Sequence, residues 1–458
     1  MNENADNFLE GPLAGKIFRF ALPVAFTIIC EQLVSGTDVL ILGRFVGPSA
    51  MAAVGNDTPV LTLLISLLVG LSLGANVLLA QAIGGRKERE TGKILHTSVL
   101  FALLLGLAFA VIGEIVTTPL LTLLNVPPEV QNEAEVYLRI FFCSMPFLSL
   151  YNFEAALFRA MGDSRTPLYA LILAAVLNAV LDLLTASLGL GLAGIVWVTV
   201  LAYVLDAVVL FILLVRHPGL HLSLRHMMFA SSELKEIVRI GLPAGVQGMV
   251  FSVSNLVIQS AINSLGPEAM AASSAAFAIE INIYAFVNGF GQAATTFVGQ
   301  NFGALKIRRC FDVTKKTLQV ETIFVFAVSM ATVLAAHPLI ALFAKDPLVI
   351  SYGVMRIYMV TGVQIINGVI EILSGSLRGY GYSLPPALVV LFTVCGVRII
   401  WVLTIFAAAP SFTMLLTCYP LSWLATALLL AIVYRRLRQN IIKNYATRLR
   451  EEMDLARA

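Results

Sequence analysis

Four polar residues inside long apolar segments are the strongest candidates for chemistry: Asp38, Asn178, Asp182 and Thr199. A charged side chain at the centre of a membrane-spanning helix costs at least ~2.5 kcal/mol, so an intramembrane carboxylate indicates a function. Two carboxylates, an amide oxygen and a hydroxyl are hard oxygen ligands suited to Na⁺. Alternatively, the two carboxylates share a proton, because neighbouring like charges in an apolar site favour the protonated form of one of them. The sequence therefore predicts a site for Na⁺ or H⁺.

Helical geometry predicts that these four residues lie at similar depth. If the first apolar segment starts in the cytosol, a rise of 1.5 Å per residue puts Asp38 in the outer half of the bilayer. Asp182 lies about 24 Å from the cytosolic side by the same measure, with Asn178 one turn below on the same helix face. The sixth apolar segment enters the membrane from the outside, and Thr199 lies about 12 Å below the outer surface. We therefore expect three helices to build one site.

The composition requires these helices to be membrane spans. Hydrophobic residues make up 59% of the 458 and charged residues only 12%, whereas about a quarter of a soluble domain is charged. About 20 apolar residues cross a bilayer as a helix, which predicts an all-α polytopic protein with twelve transmembrane helices. Six lie in residues 17–215 and six in 237–434. The predicted spans are roughly Ile17–Gly43, Pro59–Ile83, Ile94–Val116, Ala134–Ala160, Pro167–Leu188, Leu192–Val215, Ile237–Leu265, Ser273–Phe302, Thr317–Ala336, Val349–Gly375, Leu384–Ala407 and Met414–Tyr434. A cytosolic segment (1–16), a cytosolic linker (216–236) and a basic cytosolic tail (435–458) complete the predicted organisation.

An internal repeat relates the two halves. The string Gly-Pro-Ser-Ala-Met-Ala-Ala at 47–53 returns as Gly-Pro-Glu-Ala-Met-Ala-Ala at 266–272. The same offset carries Arg159 onto Arg378 and Gly162 onto Gly381. Because six spans per half keep both halves in the same orientation, we expect two six-helix lobes related by a pseudo-two-fold axis along the membrane normal.

The distribution of basic residues predicts the orientation. Clusters of lysine and arginine flank the spans on one face, and the opposite face carries little more than Arg44, Arg139, Lys345 and Arg356. The positive-inside rule places the basic face in the cytosol, so both termini are expected there, in the plasma (inner) membrane of a cell. Because each basic run flanks a span, nucleic acid is not an expected partner. No phosphate-binding loop, metal motif or catalytic triad is apparent, so we expect a transporter without a cofactor rather than an enzyme.

Other residues within the spans predict a substrate cavity and a hinge. Asp206 and Glu321 are nearer the cytosolic ends and are expected to snorkel or to cap helices. Pro23 removes one backbone hydrogen bond from the first span and is a candidate hinge. Glycine pairs such as Gly70 with Gly74 indicate close helix packing.

Several polar and aromatic residues within the spans could line a substrate cavity. A Glu371–Arg398 pair that only holds helices together is the alternative to a substrate role for Glu371 and Arg398. The candidate cavity residues are Glu31, Tyr151, Asn152, Glu280, Tyr284, Glu371 and Arg398.

Several motifs together resemble the multidrug and toxic compound extrusion (MATE) family over most of the chain. The resemblance rests on strings that open or end spans or contain the candidate site residues. It implies two lobes, a central cavity and cation-coupled export of organic cations and other amphiphiles. It also implies that Asp38, Asn178, Asp182 and Thr199 form the amino-terminal cation site of the DinF-like branch. The motifs are Leu22-Pro23, Val34–Arg44, Phe158–Asp163 with Pro167, Asn178-x-x-x-Asp182 and Val298–Gly303.

The chain departs from the NorM-like branch at two positions. That branch has acidic residues in the seventh and tenth spans, roughly where this chain has Phe251 and Asn367, so a carboxy-terminal cation site is not expected. We therefore predict an antiporter that exchanges inward Na⁺ or H⁺ for a cationic or amphiphilic small molecule, acting as a monomer among membrane lipids. A lipid-linked oligosaccharide flippase of the same superfamily is one alternative, and a membrane enzyme or receptor scaffold is another.

Overall fold

In the part of the chain that the structure describes, twelve helices are long and apolar enough to cross a membrane, as predicted. The computed structural model describes residues 8–124, 126–217, 222 and 228–455, and only the backbone of Asn56 and of 444–455. Within these residues every regular element is helical, which confirms the all-α fold. In chain order the spans are Leu13–Val46, Pro48–Gly84, Glu88–Leu123, Pro128–Met161, Arg165–Ser187, Gly191–Val215, Ser231–Asn263, Pro267–Gly303, Ile307–Leu334, Pro347–Gly379, Leu384–Phe406 and Phe412–Lys443.

Among the described residues, three spans contain π-helical or 3₁₀ turns. The first span is α-helical over Leu13–Ile41 and ends in a wider π-helical turn, Leu42–Val46. The tenth contains a 3₁₀ turn at Thr361–Val363. The eleventh alternates α-helix with π-helical turns at Leu391–Gly396 and Val402–Phe406. Because π-helical turns inside helices occur frequently at functional sites, the turn that follows Asp38 by one helical turn supports the choice of this region.

The internal repeat is visible in the backbone of the turns. Gly47 and Gly266 have φ of 128° and 101°, and each precedes a proline at the first turn of a span, the second and the eighth. Arg86 and Leu305 occupy equivalent places after those spans with φ of 54° and 58°. At Gly47 and Gly266 glycine is required because other residues rarely adopt these angles. The repeated sequence therefore encodes the same helix starts and ends in both halves.

The chain divides into two compact units, Met1–Ser252 and Val253–Ala458. The first unit includes the first part of the seventh span, which packs on the second span through glycines. A Cβ atom on Gly70 would lie 2.1 Å from the backbone nitrogen of Gly245, and one on Gly74 would lie 2.1 Å from the carbonyl oxygen of Ile237. The close packing expected from these glycine pairs is confirmed.

The predicted lobe boundaries stay a prediction. The linker predicted at 216–236 precedes the division between the units, and its residues 218–221 and 223–227 lie outside the described residues. Residues 1–7 of the amino-terminal segment and 456–458 of the tail also lie outside them. The twelfth helix continues beyond the predicted end of the last span, since Cys418–Leu455 is one α-helix.

Replacing Gly70 with alanine is expected to destabilise the protein by about 1–3 kcal/mol, because an extra methyl group forces the two backbones apart. Gly55 in the same helix is the matched control, since a Cβ there meets no atom within 4 Å. Thermal unfolding of the two purified variants would be compared with that of the wild type. A Gly70→Ala protein as stable as Gly55→Ala would contradict the packing argument.

Candidate functional site

Asp38 of the first span and Asp182 of the fifth form the centre of the candidate site. Their carboxyl groups come within hydrogen-bonding reach of each other. Asp182 is fully buried, whereas Asp38 is half-buried. The Thr199 hydroxyl donates a hydrogen bond of 3.3 Å to Oδ2 of Asp38. The structure therefore brings together three of the four residues predicted to bind a cation.

Asn178, the fourth predicted residue, lies one helical turn before Asp182 on the fifth span. Its side chain is 1% exposed, and Nδ2 has no hydrogen-bond partner among the described residues. Because residues four apart share a helix face, Asn178 is on the same side of the helix as Asp182. A buried amide with an unused hydrogen-bonding group is able to turn its oxygen towards a bound ion.

The two aspartates lack the donors that a pair of buried carboxylates needs. Neither oxygen of Asp182, nor Oδ1 of Asp38, receives a hydrogen bond from any described residue. Two charged carboxylates at hydrogen-bonding distance repel, and neither can donate to the other. A proton between them, or a cation bound to both, removes this repulsion. The geometry therefore suits the binding of H⁺ or Na⁺.

Asp57 and Tyr137 also belong to this region, although the sequence did not single them out. Asp57 of the second span is fully buried, and neither of its oxygens has a hydrogen-bond partner in the described part of the chain. Tyr137 interacts electrostatically with both Asp38 and Asp57. Asp57 was missed because the second span was predicted to start near Pro59, whereas the helix begins at Pro48. Extending the apolar segment back to the Gly-Pro turn would have found it.

Glu31 and Tyr151, two predicted cavity residues, form a second group in the amino-terminal unit. The Tyr151 hydroxyl donates a hydrogen bond of 3.5 Å to Oε1 of Glu31. Tyr151 is buried, but Glu31 retains contact with solvent although protein groups surround it. Asn152 instead donates to the carbonyl oxygen of Leu148 in its own helix, at 2.8 Å. Glu31 is thus the most accessible of these three residues to a ligand from solvent.

The expectation that Asp206 and Glu321 snorkel or cap helices is wrong. Asp206 is 2% exposed and Glu321 is fully buried. Asp206 is nine residues from the end of its span, about 13 Å, which its short side chain cannot cover. The ninth span begins at Ile307 rather than at the predicted Thr317, so Glu321 lies well inside the helix. Both residues are therefore buried acids.

The carboxy-terminal unit contains a buried ion pair that the sequence did not predict. Arg356, assigned from the charge distribution to the outer face, is 5% exposed. Its Nε and one terminal nitrogen each donate a hydrogen bond of 3.0 Å to the carboxylate of Glu280. Because this bidentate pair neutralises the Glu280 charge, Glu280 is a weaker candidate for binding a cationic substrate.

The Glu371–Arg398 pair, considered as an alternative to a substrate role, does not occur among the described contacts. Glu371 interacts with Tyr284 and Arg378, which keeps the predicted cavity residues Glu371 and Tyr284 together. The Arg398 guanidinium lies 4.4 Å from the ring centroid of Tyr419. Within the described residues no group of three His, Cys, Asp or Glu side chains could hold a metal ion. Only the amino-terminal unit therefore places two carboxyl groups within hydrogen-bonding reach without a basic partner, as far as the described contacts extend.

Substituting Asn178 or Thr199 is expected to distinguish the two candidate ions. A sodium ion needs oxygen ligands, whereas a proton needs only a carboxylate. If Na⁺ drives transport, Asn178→Ala and Thr199→Ala should raise the sodium concentration required by about tenfold or more. Ser187→Ala is the control, because the Ser187 hydroxyl is exposed and bonds only Leu184 of its own helix. An unchanged sodium response in both site variants, with a wild type that responds to sodium, would exclude these residues as ligands.

Comparison with known proteins places the chain among transporters. A MatE family model matches residues 23–184 and 243–427. The chain is similar to the "Probable multidrug resistance protein YoeA" of Bacillus subtilis, at 28% identity over 83% of this chain and 84% of that protein. It is also similar to the "FAD transporter" of Shewanella oneidensis, at 23% identity over 81% of this chain and 83% of that protein.

In fold the chain matches the outward-facing conformation of a multidrug resistance MATE family transporter of the MOP superfamily. The TM-score is 0.90 at 20% identity, and the match covers 96% of this chain and 99% of that one. The chain is therefore a multi-pass membrane transporter, not an enzyme, and it belongs to the MatE family, the multidrug and toxic compound extrusion transporters.

Proposed function

We propose that the chain is a secondary antiporter that exports organic cations and amphiphilic drugs in exchange for inward Na⁺ or H⁺. The observation that carries this proposal is the Asp38–Asp182 pair, which has a neighbouring hydroxyl from Thr199 but no basic partner among the described contacts. Inward movement of one positive charge down a potential of 100 mV supplies about 2.3 kcal/mol. Alternating access of the two predicted lobes would couple this energy to export.

The polar groups of the amino-terminal unit support a cationic or amphiphilic substrate. Glu31 offers a negative charge that solvent can reach, beside the aromatic ring of Tyr151. Tyr284 and Glu371 offer a similar combination in the carboxy-terminal unit. A carboxylate beside an aromatic ring binds an organic cation through charge and through the face of the ring. These residues are therefore our candidates for substrate binding, with Asn152, Glu280 and Arg398 in weaker positions.

The orientation and the branch are also part of the proposal. The basic clusters support a protein of the inner membrane with both termini in the cytosol. Asn367, which is buried in the tenth span, is an amide where the NorM-like branch has an acid. This difference supports a place nearer the DinF-like branch and a single coupling site in the amino-terminal half.

Transport by purified protein in proteoliposomes tests the function. Efflux of a fluorescent organic cation would be measured with a sodium gradient and a pH gradient imposed separately. We expect one of the gradients to accelerate efflux, and an ionophore that dissipates it to abolish the acceleration. Efflux that responds to neither gradient would contradict an antiporter.

Export of a flavin-like metabolite is a second candidate function. The similarity to a protein named FAD transporter favours it, and the buried guanidinium of Arg398 stacked on Tyr419 offers a positive charge beside an aromatic ring. The same proteoliposomes loaded with a flavin nucleotide would test it. Flavin efflux in the absence of drug efflux would favour metabolite export over the first proposal.

Pro23 is a candidate hinge within the first span. The helix continues through it, and the Thr27 hydroxyl donates a hydrogen bond of 2.9 Å to the Pro23 carbonyl oxygen. Asp38 lies about 22 Å further along the helix axis, so a modest bend at Pro23 would move its carboxyl group by several ångströms. We expect the distance between spin labels on the outer ends of the first and fifth spans to change when Asp38 is neutralised.

The Pro23→Ala variant should lose this change, and Pro243→Ala in the seventh span is the matched control. A label distance that stays constant with protonation, sodium and Pro23→Ala alike would reduce Pro23 to a static kink.

A further inference from the structure

Glu154 of the fourth span and Asp206 of the sixth form a second acidic pair in the amino-terminal unit. Glu154 is fully buried and Asp206 is 2% exposed. Neither oxygen of Glu154, nor Oδ1 of Asp206, has a hydrogen-bond partner among the described residues. The two groups are close enough for their charges to interact. Glu154 lies about 10 Å and Asp206 about 13 Å from the ends of their spans on the same side of the predicted membrane.

The surroundings of this pair are mostly apolar. Phe153 and Ala155 flank Glu154, Ala207 follows Asp206, and all three belong to one buried hydrophobic cluster with residues of the second and third spans. From the second span Asn76 donates a hydrogen bond of 2.8 Å to the carbonyl oxygen of Ala156. The third span contributes Phe101, whose ring packs edge-on against Phe153 at 5.7 Å between centroids. Charged carboxylates without donors are costly in such an environment, so they need a proton or a cation.

Three ionisable groups on the first, fourth and sixth spans interact electrostatically with Asp206, and a fourth interacts with two of these three. Glu31 interacts with Asp206, and Tyr151 interacts with both Glu31 and Asp206. Arg159 interacts with Glu31 and Tyr151. Tyr203, on the same helix as Asp206, completes the set.

These groups connect the acidic pair to the candidate cation site. Thr199, Tyr203 and Asp206 follow one another at intervals of four and three residues, so they share one face of the sixth span. Tyr203 interacts electrostatically with Asp38, Glu31 and Asp206. On the first span Asp38 and Glu31 are seven residues apart, which is two helical turns. Tyr203 and Glu31 therefore lie between the Asp38–Asp182 pair and the Glu154–Asp206 pair.

We infer that Glu154 and Asp206 form a proton-binding site that receives the coupling proton from the Asp38–Asp182 site before its release to the cytosol. This inference rests on the proposed function and assigns the inner part of its ion pathway. A carboxylic acid of the outer pair transfers its proton to the Glu31 carboxylate through the Tyr203 hydroxyl, which donates one proton as it accepts another. Protonated Glu31 then transfers the proton to Asp206 or Glu154. Each transfer converts one acid to a carboxylate and one carboxylate to an acid.

A proton suits this site better than a metal cation. Sodium needs several oxygen ligands at once. Glu154 and Asp206 offer two carboxylates in a cluster of aliphatic and aromatic side chains. A proton requires only one carboxylate oxygen and removes the buried charge.

Two measurements on Glu154→Gln and Asp206→Asn test the inference, with Ser149→Ala as the control. Ser149 is a buried residue of the fourth span whose hydroxyl has no described partner, so its loss removes a polar atom but no charge. The first measurement is the infrared carbonyl band of protonated carboxyl groups in the full-length protein as pH is varied. The second is efflux from proteoliposomes as the pH on the cytosolic face is varied at constant external pH.

We expect each site variant to lose part of the titrating carboxyl band and Ser149→Ala to retain it. The wild-type rate should fall by up to about tenfold for each unit by which cytosolic pH decreases, the limit for release of one proton. Both site variants should lose this dependence while their response to external ions, which belongs to Asp38 and Asp182, persists.

An unchanged cytosolic pH dependence in both variants would overturn the inference, as would an equal loss of rate at every pH, which indicates a structural role. If only a sodium gradient drives wild-type efflux, the inference fails while the proposed function stands, and if neither gradient drives it, the proposed function fails. The infrared bands then decide separately whether this pair binds a proton.

Discussion

Neutralising Asp38 or Asp182 is expected to abolish ion-coupled efflux while the protein still inserts into the membrane. Removing one charged group from a desolvated site of interacting charges costs about 3 kcal/mol or more, which corresponds to a loss of more than about a hundredfold in ion affinity. Asp182 is fully buried and lacks any described donor. Its charge is therefore compensated only by the ion or proton that it binds.

Asp38→Asn and Asp182→Asn would be assayed for efflux at matched expression, with Asp312→Asn as the control. Asp312 is an exposed aspartate in the ninth span and should be replaceable without loss of efflux. Near-wild-type efflux in both site variants would disprove the cation-site assignment. Loss of efflux in the control as well would mean that the assay reports protein quality rather than coupling.

The spans and the repeat were predictable because they depend on local sequence. A long apolar segment must form a helix in lipid, where each backbone polar group needs a partner within the segment. The paired turns at Gly47 and Gly266 follow from glycine and proline at fixed offsets. The close contact of Gly70 with Gly245 was indicated by glycine spacing, although the sequence does not specify which helix each glycine meets.

The buried acids were predictable in part. Asp38 and Asp182 stood out because each interrupts an apolar segment. Asp57 fell outside its predicted span because the helix starts earlier than the hydropathy suggested. Glu154 lies inside its predicted span, and the same rule that found Asp38 would have found it. An intramembrane carboxylate therefore indicates a function at Glu154 as well.

The choice of charge partners could not be predicted from the sequence. Arg398 and Glu371 were both recognised as charges within spans, and opposite charges in an apolar environment attract. The structure instead places Arg398 on Tyr419 and pairs Glu280 with Arg356. Which acid meets which base depends on the rotation and offset of packed helices, and neither is set by residue spacing along one helix.

Breaking the buried Glu280–Arg356 pair is expected to lower the stability of the protein strongly. Replacing Arg356 with methionine removes the bidentate partner and leaves the Glu280 carboxylate buried and uncompensated, which should destabilise the protein by about 3–5 kcal/mol. Adding Glu280→Gln to this variant removes the isolated charge. We expect the double variant to recover a substantial part of the lost stability, because most of the cost comes from the unpaired ion rather than from the missing attraction.

Unfolding free energies of the wild type, both single variants and the double variant would be measured in the same detergent. The exposed pair Arg239–Glu236 provides the matched control, with a separation of 3.1 Å but a half-exposed position. Arg239→Met should cost no more than about 1 kcal/mol, because solvent screens an exposed pair. If Arg356→Met is as mild as Arg239→Met, the variant does not leave the Glu280 charge uncompensated, and the expectation is wrong. If instead the double variant restores stability, the Glu280–Arg356 pair has a structural role. Efflux measured in the double variant then shows whether transport also needs the pair.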